Sequence, residues 1–513
     1  MAPGPHDQVP HRLIITLCTV GATLMQALDQ TIANVALPYM QGSLSASFDE
    51  ITWVLTSYIT AAAIMTAPVG WMASRFGRKY LFIACLSGFT VTSMMCGAAQ
   101  TLNQMVLFRL FQGMFGAALV PLSQATMLDI YPAEQRGSAM AIWGVGVMIG
   151  PILGPTLGGY LTEMYNWRFV FYINLPFGIL ATLGLVFFMP HDEPRSGMRF
   201  DWTGFAVLSL GIGGIQMMLD RGQDQDWFSA REIIIEGVLG GLGIYLFIVH
   251  MLTARRPFIP PALFKDRNFT TGIGMMFAAG TILVSSSSLM APWLQNLANY
   301  PVDTAGLIMA PRGIGTMVSM VLAGRVATRV DPRAAMGFGI LCVVWSIWEM
   351  TTWTPDVSEL RLILTITVQG FGLGFLFIPL QMVAFATLPV MLRTDGAGLF
   401  SLARNIGAAI GVSVTSSMLA HNTQALHAEI GEHVNPFNRA LQDGAAVQQH
   451  LDPATHHGAA MLDHMINQQA QIIAYVDDYK MMIFTTLPAL LLLFLMRRPR
   501  QPPRPTEAHA AME

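Results

Sequence analysis

Along this chain, apolar residues come in long blocks rather than with a period of two. Fourteen blocks of roughly membrane-crossing length lie near 13–36, 53–72, 79–99, 105–128, 138–160, 169–189, 202–219, 233–252, 270–291, 305–326, 334–353, 362–385, 398–419 and 480–496. Short polar stretches separate them, and one long polar stretch covers about 420–478. The pattern predicts an all-α, polytopic membrane protein with fourteen transmembrane helices. The block at 13–36 lacks a small-residue cleavage site and is read as the first span, not as a signal peptide.

Within the fifth block, residues 144–161 carry a second period. Gly146, Gly150, Gly154 and Gly158 recur every fourth residue and share one helix face, with Gly159 beside the last. Pro151 and Pro155 lie on the neighbouring face. A bare glycine face permits backbone-to-backbone contact with another helix, and two prolines favour a bend. The expectation is a flexible seam on which two helix bundles rock and which seals against proton leak. The alternative is ordinary small-residue packing.

Composition fixes the solvent. Hydrophobic residues make up 53% of the chain and charged residues 12%, which excludes a soluble globular protein. A net charge of −3 offers no attraction to nucleic acid. The four cysteines, Cys18, Cys85, Cys96 and Cys342, are scattered through apolar blocks and read as packing residues. No GxxxxGK[ST] loop occurs, so ATP is not the expected energy source. With both termini placed in the cytoplasm, 19 of the 28 Lys and Arg fall on the inner side, 6 on the outer side and three within spans. This is the positive-inside bias, and an odd number of spans would spoil it.

An internal repeat sets the expected architecture. Gly70-Trp-Met-Ala-Ser-Arg-Phe-Gly-Arg-Lys79 after span 2 aligns with Gly324-Arg-Val-Ala-Thr-Arg-Val-Asp-Pro-Arg333 after span 10. Gln112-Gly113 with Pro121-Leu122 in span 4 is echoed by Gln369-Gly370 with Pro379-Leu380 in span 12. Both echoes are eight spans apart. Two six-helix bundles would give six, so two helices are inserted between them. The expected divisions are 1–200, 201–253 for the inserted pair, and 254–513 with a long outer loop at about 420–478. Repeats of this kind build a central site with alternating access in many transporters.

Charges inside the spans are the candidate chemistry. Asp29 is the acid that lies well within a span of the first half, where a carboxylate costs about 2.5–3.5 kcal/mol on insertion scales. It is either a proton-carrying group or a pin for a helix contact. Arg109 in span 4 falls at a similar depth and is its natural partner, with Gln112 on the same face; a snorkelling arginine is the other reading. Gln26, Gln30 and Asn34 recur every four residues around Asp29 and either line an aqueous cavity or bond between helices. Arg404 in span 13 and Arg312 in span 10 are further intramembrane cations, assigned to the substrate cavity, while Glu349 near the outer end of span 11 reads as interfacial. The chain also holds 35 Met, 29 Phe, 11 Tyr and 10 Trp, side chains suited to an adaptable pocket, although most must face lipid or core. No nucleophile–base pair or metal-ligand spacing stands out, so an enzyme and a metal site are not expected. Seven of the twelve histidines crowd the 421–464 stretch and read as a solvated outer loop.

Five segments together carry a family resemblance. They are Leu28-Asp-Gln-Thr-Ile-Ala-Asn-Val-Ala-Leu-Pro38, Gly70–Lys79, Arg109-Leu-Phe-Gln-Gly-Met-Phe-Gly116, Gly144–Leu161 and Trp167-Arg-Phe-Val-Phe-Tyr-Ile-Asn-Leu-Pro-Phe-Gly178. The chain resembles the major facilitator superfamily, in particular its fourteen-span drug:proton antiporters of the EmrB/QacA type. The resemblance implies proton-driven efflux of small amphipathic toxic molecules across a bacterial inner membrane, powered by the proton motive force with no cofactor. It also implies an EmrA-like periplasmic membrane-fusion adaptor and a TolC-like outer-membrane channel. Gly144–Leu161 matches the antiporter motif and Gly70, Arg75, Gly77 and Arg78 the cytoplasmic loop motif. The family loop carries an acid where Ser74 stands here. Arg75, Arg78 and Lys79 are therefore expected to act as cytoplasmic anchors. The rival functions are proton-coupled import or export of a specific metabolite and a non-transporting sensor or scaffold.

Overall fold

The computed structural model describes residues 11–132, 135–191, 199–223, 225–255, 257–326, 330–434 and 455–497. Among them the chain is helical and no strand occurs. Thirteen helices are long and apolar enough to cross a membrane, and a fourteenth span is the pair Trp53–Thr66 and Val69–Phe76, bent by 58°. The bend falls at Pro68, which lacks the N–H that would continue the helix. The spans are α1 Arg12–Leu44, α2 the bent pair, α3 Arg78–Ala98, α4 Leu102–Ile130, α5 Arg136–Met164, α6 Phe169–Phe188 and α7 Trp202–Arg221. They continue as α8 Arg231–Thr253, α9 Arg267–Leu297, α10 Val302–Val326, α11 Pro332–Met350, α12 Glu359–Ala386, α13 Arg393–Glu432 and α14 His456–Leu495.

The packing repeats with the eight-span offset. α1 packs on α5 as α9 packs on α13, and α2 on α4 as α10 on α12. Glycines set the closest approaches. A Cβ on Gly113 would lie 2.4 Å from the Tyr58 carbonyl oxygen, and one on Gly370 would strike the Arg312 carbonyl. α7 and α8 clasp each other the same way: a Cβ on Gly214 would lie 2.8 Å from the Gly240 nitrogen. α7 then rests on α2 and α13. Asp201 caps α7 by accepting from the Gly204 N–H at 2.9 Å, and its carboxylate faces His250 of α8 at 2.9 Å.

The glycine stripe of α5 faces inward to its own half, not outward to the other. A Cβ on Gly146 would meet Val20, one on Gly150 would lie 2.7 Å from the Leu28 nitrogen, and those on Gly154 and Gly158 would meet Thr31 and Ile32, all on α1. Thr31 Oγ1 also donates to the Gly150 carbonyl at 3.3 Å. Gly159 has open space beside it. Pro151 and Pro155 fall within α5, and their side chains lie outside the described residues. In this conformer the stripe expected as a rocking seam is the contact of α5 with α1. The halves meet instead on another face of α5, where Gly137 and Gly324 each bring a Cβ position within 2.7 Å of the other's carbonyl oxygen. Gly144 against Met320 and Ile152 against Gly313 extend that contact along α10.

The long polar stretch also departs from expectation. α13 runs on to Glu432 and α14 starts at His456, so much of the expected 420–478 loop is helix. Each helix has 40 residues and would span about 60 Å if straight, roughly twice a hydrocarbon core. His427 Nε2 and Asp463 Oδ1 join the two extensions at 3.0 Å. The remaining histidines His421, His433, His456, His457 and His464 sit along or beside these extensions, whereas His450 lies outside the described residues.

Gly150→Ala is expected to destabilise the protein by about 1–3 kcal/mol, because the methyl meets backbone that cannot yield. Gly159→Ala is expected to be neutral or slightly stabilising. Thermal unfolding of both variants in one detergent checks the contrast, and an unchanged melting temperature for Gly150→Ala would show that the α1–α5 contact is not so close.

Candidate proton and substrate sites

Five helices of the first half converge on one buried carboxylate. Asp29 Oδ2 of α1 accepts from Arg109 of α4 at 2.6 Å, and Oδ1 accepts from Gln112 Nε2 at 2.8 Å and Asn174 Nδ2 of α6 at 3.3 Å. Arg109 and Gln112 are three residues apart and so share one helix face. Arg109 also donates to Gln112 Oε1 at 2.9 Å and, through Nε, to the Val54 carbonyl of α2 at 3.1 Å. Its guanidinium lies 4.2 Å from the centre of the Tyr58 ring, close enough for cation–π attraction. The missing side chain at Gly113 lets α2 come near enough to place that ring. Asn174 also bonds Ser93 of α3 at 3.1 Å. Asp29, Arg109 and Gln112 are all 0% exposed. The pair is buried in this conformer; of the polar residues spaced around Asp29, Gln26 is buried, Gln30 part-exposed and Asn34 exposed.

The corresponding place in the second half carries no acid. Ser286 stands 257 positions after Asp29, the offset that also relates Gln112 to Gln369. Isoleucine occupies the position equivalent to Arg109, at Ile366. The cation comes from α10 instead. Arg312 donates to Ser286 Oγ at 2.8 Å, to the Leu283 carbonyl at 2.9 Å and to Ser287, all on α9. Arg312 is thus 8% exposed and engaged in helix packing, away from the pocket to which it was assigned.

That pocket lies between the halves. Val120 and Gln124 of α4, Trp143 of α5, Met276 of α9, Gln381 of α12 and Phe400, Ser401 and Arg404 of α13 line it. Gln124 Nε2 and Gln381 Oε1 are buried there without a hydrogen-bond partner. Sequence reading found Arg404 but not the two glutamines. Their 257-position spacing, the same as for Gln112 and Gln369, was the signal available. The residues bring together a cation, two unpaired amides, a hydroxyl and two large aromatics, but in this conformer the space among them is about 10 Å³, room for a single water.

A third cluster ties the halves together at the end that carries the Gly70–Arg78 loop. Asp129 of α4 binds Arg78 and accepts from Arg393 of α13 at 2.8 Å. Asp395 of α13 rests on Gly70, where any Cβ would strike it. Gly77, at φ 85°, makes the turn into α3. Lys79 is 5% exposed and donates to the Met189 carbonyl at the end of α6 at 2.6 Å. Arg78 and Lys79 thus have partners within the protein, and with Ser74 where the family carries an acid, the acid that meets Arg78 comes from α4. Arg75 is part-exposed at the end of the bent pair.

The profile of the Major Facilitator Superfamily matches residues 19–412. The chain belongs to that superfamily. It is 34% identical over 489 residues to the multidrug export protein EmrB of Escherichia coli K12, covering 95% of this chain and 96% of the relative. It is 33% identical to the fatty acid resistance protein FarB of Neisseria gonorrhoeae, covering 90% and 91%. Among solved structures, the human organic anion transporter MFSD10 superposes with a TM-score of 0.62 at 15% identity, covering 95% of this chain and all of that one. The proton:xylose symporter XylE superposes at 0.58 with 14% identity, covering 91% and 95%. These two share the fold. The superfamily assignment makes the chain a multi-pass membrane transporter of all-α architecture.

Asp129→Asn is expected to loosen the contact between the halves, since each partly exposed pair is worth about 0.2–1 kcal/mol. The check is the distance between spin labels on Phe76→Cys and Val330→Cys, exposed positions of the two halves at this end. The separated population should rise by a factor of about two to five when Asp129 is replaced, and an unchanged distribution would show that the cluster does not hold that end shut.

Proposed function

We propose that this chain exports amphipathic toxic compounds or drugs across the bacterial inner membrane in exchange for protons entering from outside. The observation that carries this reading is the buried Asp29–Arg109 pair. Arg109 keeps its charge at any accessible pH. A proton delivered to Asp29 therefore leaves that charge unbalanced within a low-dielectric site. The balance is regained only by rearranging the helices or by bringing in another anion. Proton arrival is thus converted into a change of helix packing, which is the physical requirement for coupling.

The other two sites fit into the same cycle. Under the positive-inside assignment, both termini and the Gly70–Arg78 loop face the cytoplasm. The Asp129 cluster then closes the cytoplasmic end while the pocket around Arg404 awaits release on the other side. Multidrug export by EmrB and fatty acid resistance in FarB agree with a pocket that pairs one cation with apolar walls. The joined extensions of α13 and α14 would stand outside the membrane. They are the surface proposed for an EmrA-like periplasmic adaptor, with a TolC-like outer-membrane channel beyond it.

Asp29→Asn keeps the side-chain volume and is expected to bind drug yet lose proton exchange. In proteoliposomes, a drug gradient should drive a pH change with wild-type protein and at least tenfold less with the variant. An undiminished pH change in Asp29→Asn would defeat the scheme, and drug moving in the same direction as protons would make the protein an importer. Deleting 430–470 should spare folding while abolishing co-purification with the adaptor; retained co-purification would count against the docking surface.

A further inference from the structure

Asp478 of α14 is buried at 0% exposure, and neither of its carboxylate oxygens has a hydrogen-bond partner. Its neighbour Asp477 is different: that side chain is 39% exposed and pairs with Lys480 at 3.0 Å. Successive residues on a helix point about 100° apart, so α14 turns one acid to water and the next into protein. α14 packs there on α9, α11 and α13. The wall around this level is aromatic. Trp293 and Trp353 lie 5.1 Å apart, Trp353 and Tyr479 6.4 Å, and Tyr479 and Tyr475 6.5 Å between ring centres. Trp353 Nε1 and Tyr479 Oη are likewise buried without a partner.

We propose that Asp478 is a second proton-carrying site, in the half of the molecule that lacks a counterpart of Asp29. An ionised carboxylate with no donor and no cation is too costly in such a place, whereas the neutral acid is tolerated. The candidate cations are committed elsewhere. Lys480 pairs with Asp477, Arg312 with the α9 hydroxyls, Arg267 with the Leu495 carbonyl and Arg393 with Asp129, while Arg404 lines the pocket between the halves. The ionisable groups on the elements around Asp478 are His456, His457, Asp463, His464, Tyr475, Asp477, Tyr479 and Lys480 on its own helix, Arg267 on α9, Arg333, Cys342 and Glu349 on α11, and Arg393, Asp395, Arg404, His421, His427, Glu429 and Glu432 on α13. Glu349 is held by Arg361 at 2.6 Å and His427 by Asp463 at 3.0 Å. None of them bonds Asp478 among the described residues.

The step is a simple proton transfer. In this conformer the carboxyl O–H is intact. When α14 turns or slides against α11 and α13, the O–H bond breaks, the proton passes to a water on the Asp477 side, and the carboxylate left behind takes hydrogen bonds from Tyr479 and Trp353. Those two unpaired donors lie in the same aromatic cluster, and the neutral acid leaves them unused. This inference rests on the proton-driven reading given above.

The test uses the full chain reconstituted in liposomes, with wild type, Asp478→Asn, Asp478→Glu and Asp29→Asn side by side. Infrared spectroscopy at neutral pH reads the carbonyl stretch of a protonated carboxyl group, which shifts in deuterium oxide. The expected result is a band that is lost in Asp478→Asn and kept in Asp29→Asn. The pH profile of drug-driven proton movement should shift in Asp478→Asn and be largely rescued in Asp478→Glu. Melting temperatures identify any variant that fails to fold, and Asp478→Leu, which removes the acid without adding a polar group, replaces a misfolded Asn variant. A band unchanged in Asp478→Asn overturns the proposal. So does a lost band with a wild-type pH profile, which would make the proton structural. Absence of drug-linked proton movement in wild type itself would instead sink the proton-driven reading.

Discussion

A charge inside a membrane protein survives only if every lone pair and every proton it carries is answered. Asp29 shows how completely this constraint shapes the first half. Its carboxylate draws donors from α4 and α6, while α2 contributes a carbonyl and an aromatic face to the arginine. Removing one member of a buried pair typically costs about 3–5 kcal/mol, because the other charge remains. The helices that surround the pair are therefore positioned by it as much as by apolar packing, which offers little net force between helices in lipid.

The second half follows the same plan with the charges moved. Ser286 replaces the acid at the equivalent position, and Arg312 enters from α10 to bond α9 hydroxyls and a carbonyl. The cation there has hydrogen bonds but no counter-charge among the described residues. Asp478, on the last helix, has the opposite deficit. A transporter built from two related halves need not place its titratable groups symmetrically. What the two halves share is their internal packing, seen in the glycine contacts at Gly113 and Gly370, each within its own half.

Two faces of α5 make different contacts. The glycine stripe brings α5 into backbone contact with α1 inside the first half. The face that meets α10 carries Gly137 and Gly144, and the approach there is as close, but it joins elements from different halves. The cluster around Asp129 sits at the same end and adds polar contacts that water can replace when the end opens. Contacts of that sort are worth little individually, which suits an interface that must part in every cycle.

The sequence by itself determined the membrane-spanning, all-helical class and the span count with its eight-span repeat, and it offered Asp29 and Arg109 as candidates at similar depth whose contact the structure then made. Block length, charge bias and the high cost of an intramembrane charge are local or one-dimensional quantities, so they can be read along the chain. The bend at Pro68 was legible only as a proline. Tertiary structure alone decided which helix the glycine stripe touches, because a bare face states that something approaches but not what. It alone joined Asp129 to Arg78 and Arg393, which are far apart in sequence and have ordinary surroundings there. It also turned Arg312 away from the pocket and left Asp478 without a partner. Whether a buried polar group is satisfied depends on neighbours from other helices, and only their arrangement in three dimensions supplies or withholds them.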